Sequence, residues 1–151
     1  MKMILKLLVP LVGVVLALGV YKTVTTPSHL FALSKEFGGC PNRPSCVSSL
    51  ATDPEHSVAA LGYAGDPSTA YSMLREVIER MGGKIAHDAP GYLHAVFTTP
   101  TMRYRDDLEL LVLPEGKIEV RSISRFGYRD FGVNRARVEA LRQAFEAVPR
   151  P

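Results

Sequence analysis

Apolar and polar positions divide the chain into three regimes. Residues 1–21 carry a short positive start, Lys2 and Lys6, followed by an apolar run from Leu7 to Val20 that only Pro10, Gly13 and Gly19 interrupt. Counted from Leu7, the run of about 14 residues fits the core of a signal peptide. Counted from Met3 with Lys6 snorkelling it reaches about 19, near the span of a bilayer core. Ala17-Leu18-Gly19 is the best small-x-small cleavage site and is followed at once by Val20 and Tyr21, so an uncleaved signal-anchor is favoured over a cleaved signal. Lysines ahead of the run put the N-terminus inside and the rest of the chain outside. Residues 22–39 have no period and read as a connector, and irregular structure continues to about Ala60.

From Asp66 onward the periods become regular. Asp66 as N-cap and Pro67 at the first position open a helix, Tyr71, Leu74, Val77, Ile78 and Met81 give it one apolar face, and Gly82-Gly83 stop it. Residues 84–87 and 92–99 alternate around Asp88-Ala89-Pro90-Gly91 and predict a hairpin. Residues 107–113 and 117–124 predict a second hairpin about Pro114-Glu115-Gly116. A three-residue loop sets Val112 against Ile118 and Leu110 against Val120 on a buried side, with Glu109 opposite Arg121 on the other side as an ion pair. Asn134 is expected to cap a last helix with Val138, Leu141 and Phe145 as its apolar stripe and Pro149 as its stop. The predicted fold is α+β: a four-stranded antiparallel sheet with two helices on one face, after an N-terminal hydrophobic helix, with a single domain over 40–148.

Composition narrows the function classes. The chain has 151 residues and a formal charge of +3, but Lys2 and Lys6 precede or lie in the apolar run, and without them 16 basic residues face 15 acidic ones. That near-balance lacks the broad positive field of a nucleic-acid binder, so nucleic acid is not expected as a partner. The two cysteines, Cys40 and Cys46, lie in one short stretch and read as a local disulfide in an oxidising compartment. A reactive thiol pair is the alternative, at a spacing wider than redox motifs use. His29, His56, His87 and His94 show no ligand spacing, so neither metal nor cofactor is expected.

Three segments together resemble a known family: Cys40-Pro-x-x-Pro-Ser-Cys46-Val47-Ser48-Ser49, then Arg105-Asp106-Asp107-Leu108-Glu109, then Arg121-Ser122-x-Ser124-Arg125-x-Gly127-x-x-Asp130-x-Gly132-x-Asn134-Arg135-x-Arg137. They resemble the domain of unknown function 1499 family, over about Cys40 to Phe145. The resemblance implies an exported domain of bacterial envelopes or plant plastids and supplies no catalytic residue.

Candidate chemistry concentrates in the same segments. Arg105, Asp106, Asp107, Arg121, Ser124, Arg125, Asp130, Asn134, Arg135 and Arg137 should converge at one end of the sheet, where the second hairpin brings Asp106 and Asp107 beside Ser124 and Arg125. One reading is an internal network, with arginines forked onto carboxylates and Asp residues capping backbone donors. The other is a binding module in which Arg125, Arg135 or Arg137 grips an anionic group beside the Asn134 helix N-terminus. Its ligand would be an anionic lipid, a cell-wall fragment or an acidic protein partner, met by a domain tethered to the inner membrane through residues 3–21 and facing the periplasm. The rival class is a hydrolase or transferase with a site assembled from His56, Asp107 and Ser124. Catalysis is the less favoured class, because no histidine lies near Ser122 or Ser124 in sequence.

Overall fold

The computed structural model describes residues 37–149 without interruption, together with Pro10, Gly13, Val14, Ala17, Pro27, Leu30 and Phe31. The rest of the predicted N-terminal helix lies outside the described residues. Among those described, no helix is long and apolar enough to cross a membrane.

Eight elements follow in chain order: β1 (Cys46–Ser48), β2 (Leu61–Gly62), α1 (Pro67–Arg80), β3 (Lys84–Ala89), β4 (Tyr92–Thr98), β5 (Arg105–Leu113), β6 (Lys117–Ser124) and α2 (Val133–Glu146). The sheet has six strands in the order β1-β6-β5-β4-β3, with β2 beside β1 along the same edge of β6. Every strand pair is antiparallel. The four predicted strands are therefore its centre and one edge. The two added strands are two and three residues long, too short to show a period, and they come from the stretch read as irregular. An isolated parallel bridge joins Ser48 to Ser57.

The helices form for the reasons the sequence gives. Asp66 accepts the Thr69 amide at 2.9 Å, Pro67 needs no donor partner, and Gly82 leaves the helix with φ +85°. Leu74, Val77 and Ile78 of α1 and Val138, Leu141 and Phe145 of α2 share one core with Leu93, Ala95, Leu108, Leu110, Ile118 and Val120. These strand residues alternate along β4, β5 and β6, so one face of the sheet carries both helices. The β5–β6 register pairs Val112 with Ile118, Leu110 with Val120 and Glu109 with Arg121, as the three-residue loop requires.

The cap of α2 departs from expectation. Gly132, at φ +83°, precedes the helix, and Asn134 sits buried inside its first turn. Asp130 does the capping instead, accepting the Asn134 amide at 2.8 Å and the Gly132 amide at 3.1 Å. The Asn134 side chain is committed to the sheet, which is why it does not turn back on its own helix.

Cys40 and Cys46 are joined in a disulfide with their Cα atoms 5.6 Å apart. The bridge pins the residues before β1 against the sheet. Next to the β5–β6 turn, the Tyr63 amide donates to Gly116 O at 2.9 Å, which holds β2 on the sheet edge. Gly116 has φ +82°, and a Cβ there would lie 2.9 Å from the Tyr63 carbonyl oxygen. Gly116→Ala is expected to cost more than about 1 kcal/mol in urea unfolding, since it meets both a left-handed backbone and a steric block.

Candidate functional site

The two faces of β4, β5 and β6 carry different polar chemistry. On the helix side, Asp106 pairs with Arg137 at 2.6 Å. Ser122 donates to Asn134 Oδ1 at 2.7 Å, and Asn134 Nδ2 donates to Ser124 Oγ and to Ser45 O, each at 3.0 Å. Arg137 also donates to Ser122 Oγ at 3.0 Å and stacks over Phe97, 4.8 Å from its ring centre. These bonds lock the start of α2 to β5, to β6 and to Ser45 just ahead of β1.

The opposite face carries two charge pairs. Arg121 donates through Nε to Glu109 Oε2 at 2.7 Å and again through Nη2. The other Glu109 oxygen accepts the Tyr92 hydroxyl and the Phe31 amide, both at 2.7 Å. Beside them Arg125 grips Asp107 through Nε at 2.9 Å and Nη2 at 2.7 Å, and His94 Nε2 lies 2.7 Å from Asp107 Oδ1. Glu109 and Asp107 are fully buried.

The predicted Glu109–Arg121 pair therefore exists but is covered rather than solvated. Phe31 and Phe37 cover it: Phe31 packs 4.8 Å from the Tyr92 ring, and Arg121 lies over Phe37 and donates to Gly39 O at 3.3 Å. Residues read as connector thus complete the second face. The sequence signal for this was the short apolar run Leu30-Phe31-Ala32-Leu33 within a polar stretch.

Burial works to raise the Asp107 carboxyl. The hydrogen bonds and charges of His94 and Arg125 outweigh it and hold the group below the ordinary carboxylate value of 3.8. For His56, burial works to lower the ring. Its bonds to Asp53 Oδ1 at 2.7 Å and to Arg43 O at 3.0 Å outweigh that and raise it above the ordinary 6.5.

Eight of the ten candidate residues fall into three groups, and Asp130 caps α2. Asp106, Ser124, Asn134 and Arg137 meet on the helix face; Asp107, Arg121 and Arg125 belong to the other face; Arg135 leaves both and holds the carbonyls of Ser57 at 2.7 Å and Glu55 at 2.9 Å. Arg105 is half-buried at the start of β5. The arginines expected to grip a ligand are thus engaged within the protein: Arg125 by Asp107, Arg137 by Asp106, and Arg135 by backbone carbonyls. The proposed catalytic set is not assembled either. Asp107 and Ser124 point to opposite faces of the sheet, and the His56 ring bonds to Asp53 and Arg43. Among the described residues no group of three or more His, Cys, Asp or Glu side chains could hold a metal ion.

What the network frames is a cleft of about 360 Å³ at the end of the sheet, with Asp106 and Ser124 on its floor and Tyr104, Phe126, Arg129 and Phe131 around it. Tyr104 and Phe126 face each other at 5.6 Å between ring centres and join the 99–104 loop to the 125–132 loop. Arg103 and Arg129 are exposed and have no carboxylate partner among the described residues. Sequence reasoning passed over these aromatics because a glycine-bearing loop has no period. The unpatterned cluster Phe126, Tyr128 and Phe131 in a turn-rich segment was the available signal.

Fold and site together define a small α+β domain with charge pairs buried on both faces of its sheet and an aromatic-lipped cleft at one end. Residues 36–145 match the model of the family described as protein of unknown function (DUF1499), and the chain belongs to that family. No curated protein and no solved structure matches it.

A carboxylate whose folded-state pKa is depressed contributes stability above its unfolded value and loses that contribution as pH falls through the folded value. At neutral pH, Asp107→Asn should cost about 3–5 kcal/mol, because it leaves Arg125 buried without its counter-charge. The gap between the two proteins should close below pH 3.8, checked by urea unfolding at a series of acidic pH values.

Proposed function

We propose that this chain is an envelope protein: a binding or assembly module tethered to the inner membrane through residues 3–21, with its domain outside, that recognises an anionic group at the end of its sheet. The Arg and Asp cluster supplies the rigid frame of that site rather than its contacts. Arg129 is the cation that meets the ligand, with the aromatic lip closing over the ligand's apolar part.

The observation that carries this reading is the contrast among the arginines. Those of the network are each held by a carboxylate or by carbonyls, whereas Arg129 lines the cleft without an ion pair among the described residues, the cleft's own carboxylates being engaged elsewhere, Asp106 by Arg137 and Asp130 by the Gly132 and Asn134 amides. An arginine fork without a carboxylate is well suited to a phosphate or carboxylate from outside. The apolar run at the N-terminus and the disulfide support the compartment. A hydrolase or transferase site at His56, Asp107 and Ser124 has no geometric support, since their hydrogen bonds run to other groups.

Two measurements test the reading. In cells expressing the full-length chain, thiol labelling with fractionation should find it in the membrane with Cys40 and Cys46 both blocked. In neutral micelles, inorganic phosphate or acetate should shift the amide resonances of residues 126–133 saturably, and Arg129→Gln should remove the response while unfolding within about 0.5 kcal/mol of the parent. Free thiols in a soluble fraction would overturn the compartment. Shifts scattered over the surface, or unchanged by Arg129→Gln, would overturn the site.

A further inference from the structure

The rim of the cleft is more apolar than its floor. Phe131 is 95% exposed, Tyr128 67% and Met102 62%, and Phe126 and Val133 are exposed beside them. Phe126, Phe131 and Val133, the first residue of α2, line the cleft, Tyr128 comes from the same 125–132 loop, and Met102 from the 99–104 loop that the Tyr104–Phe126 contact joins to it. Phe131 has φ +56° and is followed by Gly132 at φ +83°. A bulky residue in left-handed backbone is uncommon, and here it presents its ring to solvent instead of packing it.

The fully exposed charges on this surface are positive. Arg103 and Arg129 are exposed, while the one carboxylate of the 125–132 loop, Asp130, is half-buried and engaged in capping α2. Exposed aromatics with arginines between them suit the boundary between headgroups and acyl chains, where rings bury their apolar faces and guanidinium groups meet phosphate. Anionic lipids add a factor of about fivefold per arginine near the surface.

Chain length brings such a surface within reach. Residues 22–29 separate the apolar run from Leu30, which spans at most about 30 Å. Phe31 is held to the sheet at Glu109, and the rim begins four residues along β5, about 14 Å away.

We infer that the rim formed by Met102, Arg103, Phe126, Tyr128, Arg129 and Phe131 docks onto the surface of the anionic phospholipid bilayer in which the chain is anchored. The inference rests on the tethered, anion-recognising reading above and names the source of the anion: the phosphates of the lipid headgroups. Phe131 and Tyr128 enter the headgroup layer, Arg103 and Arg129 pair with phosphates, and the domain lies against the membrane instead of swinging on its tether.

The absence of tryptophan from the chain makes the test direct. Full-length variants carrying Phe131→Trp, Tyr128→Trp or, as a reporter of the anchor, Leu16→Trp are reconstituted in vesicles of phosphatidylcholine with or without one-third phosphatidylglycerol. In the anionic vesicles the fluorophores at 131 and 128 should emit at shorter wavelength and be quenched by brominated acyl chains. Adding Arg103→Gln and Arg129→Gln should lower the ratio of docked to free domain roughly 25-fold.

If position 16 is quenched while 131 and 128 stay exposed to aqueous quencher, docking is wrong and the anchor stands. If none of the three is quenched, the tethered reading fails as well. Shielding of position 131 that grows with protein concentration in lipid-free micelles would assign the rim to a second copy of the chain and overturn the proposal.

Discussion

Two carboxylates without solvent contact, Asp107 and Glu109, govern the rest of the structure. Moving a lone ion of this size into a protein interior costs several kcal/mol even after relaxation, so each must be matched by an opposite charge and have its remaining lone pairs filled. Arg125 and Arg121 provide the charge. The lone pairs are filled by His94, by the Tyr92 hydroxyl and by the Phe31 amide. That last donor lies 78 positions away in sequence, so the second face of the sheet is complete only when the segment before the disulfide folds across it. Cys40–Cys46 shortens the search by fixing the end of that segment beside β1.

The same constraint shapes the other end of the sheet. Arg125 is the first residue after β6, and its side chain reaches back to Asp107, so the loop that follows departs from a fixed point. Asp130 then caps α2, and Asn134 and Arg137 tie that helix to Ser122, Ser124 and Asp106. With both ends of the 125–132 segment held, its aromatic residues have no core left to enter and stand at the rim. A rigid frame under an apolar, cationic lip is what a docking surface needs, because little ordering remains to be lost on contact.

Much of this was legible in the sequence. Loop length with alternation was enough for the register of β5 against β6 and for the Glu109–Arg121 pair, since a slip of one residue would set Leu110 against a charge. Asp66-Pro67 and Gly82 bounded α1, and the three motifs led to the family. What stayed hidden depends on distant contacts. Nothing near Glu109 says that Phe31 will cover it. β1 and β2 are too short to carry a pattern, and Asn134 looks like a cap until Ser45, Ser122 and Ser124 claim its side chain. Arginines in a motif look equally available for ligand; only the positions of Asp106 and Asp107 on opposite faces separate those that are spent from the exposed pair, Arg103 and Arg129.

The dependence of the buried face on its cover is tested most directly by native-state hydrogen exchange at the Phe31 amide. If that donor is part of the cooperative unit, it should open with the same free energy as the amides of Leu108 and Leu110 in the centre of β5. Exchange at Phe31 close to the rate of an unstructured peptide, with β5 still protected, would contradict the account and leave Glu109 to be satisfied by Arg121 and Tyr92 alone.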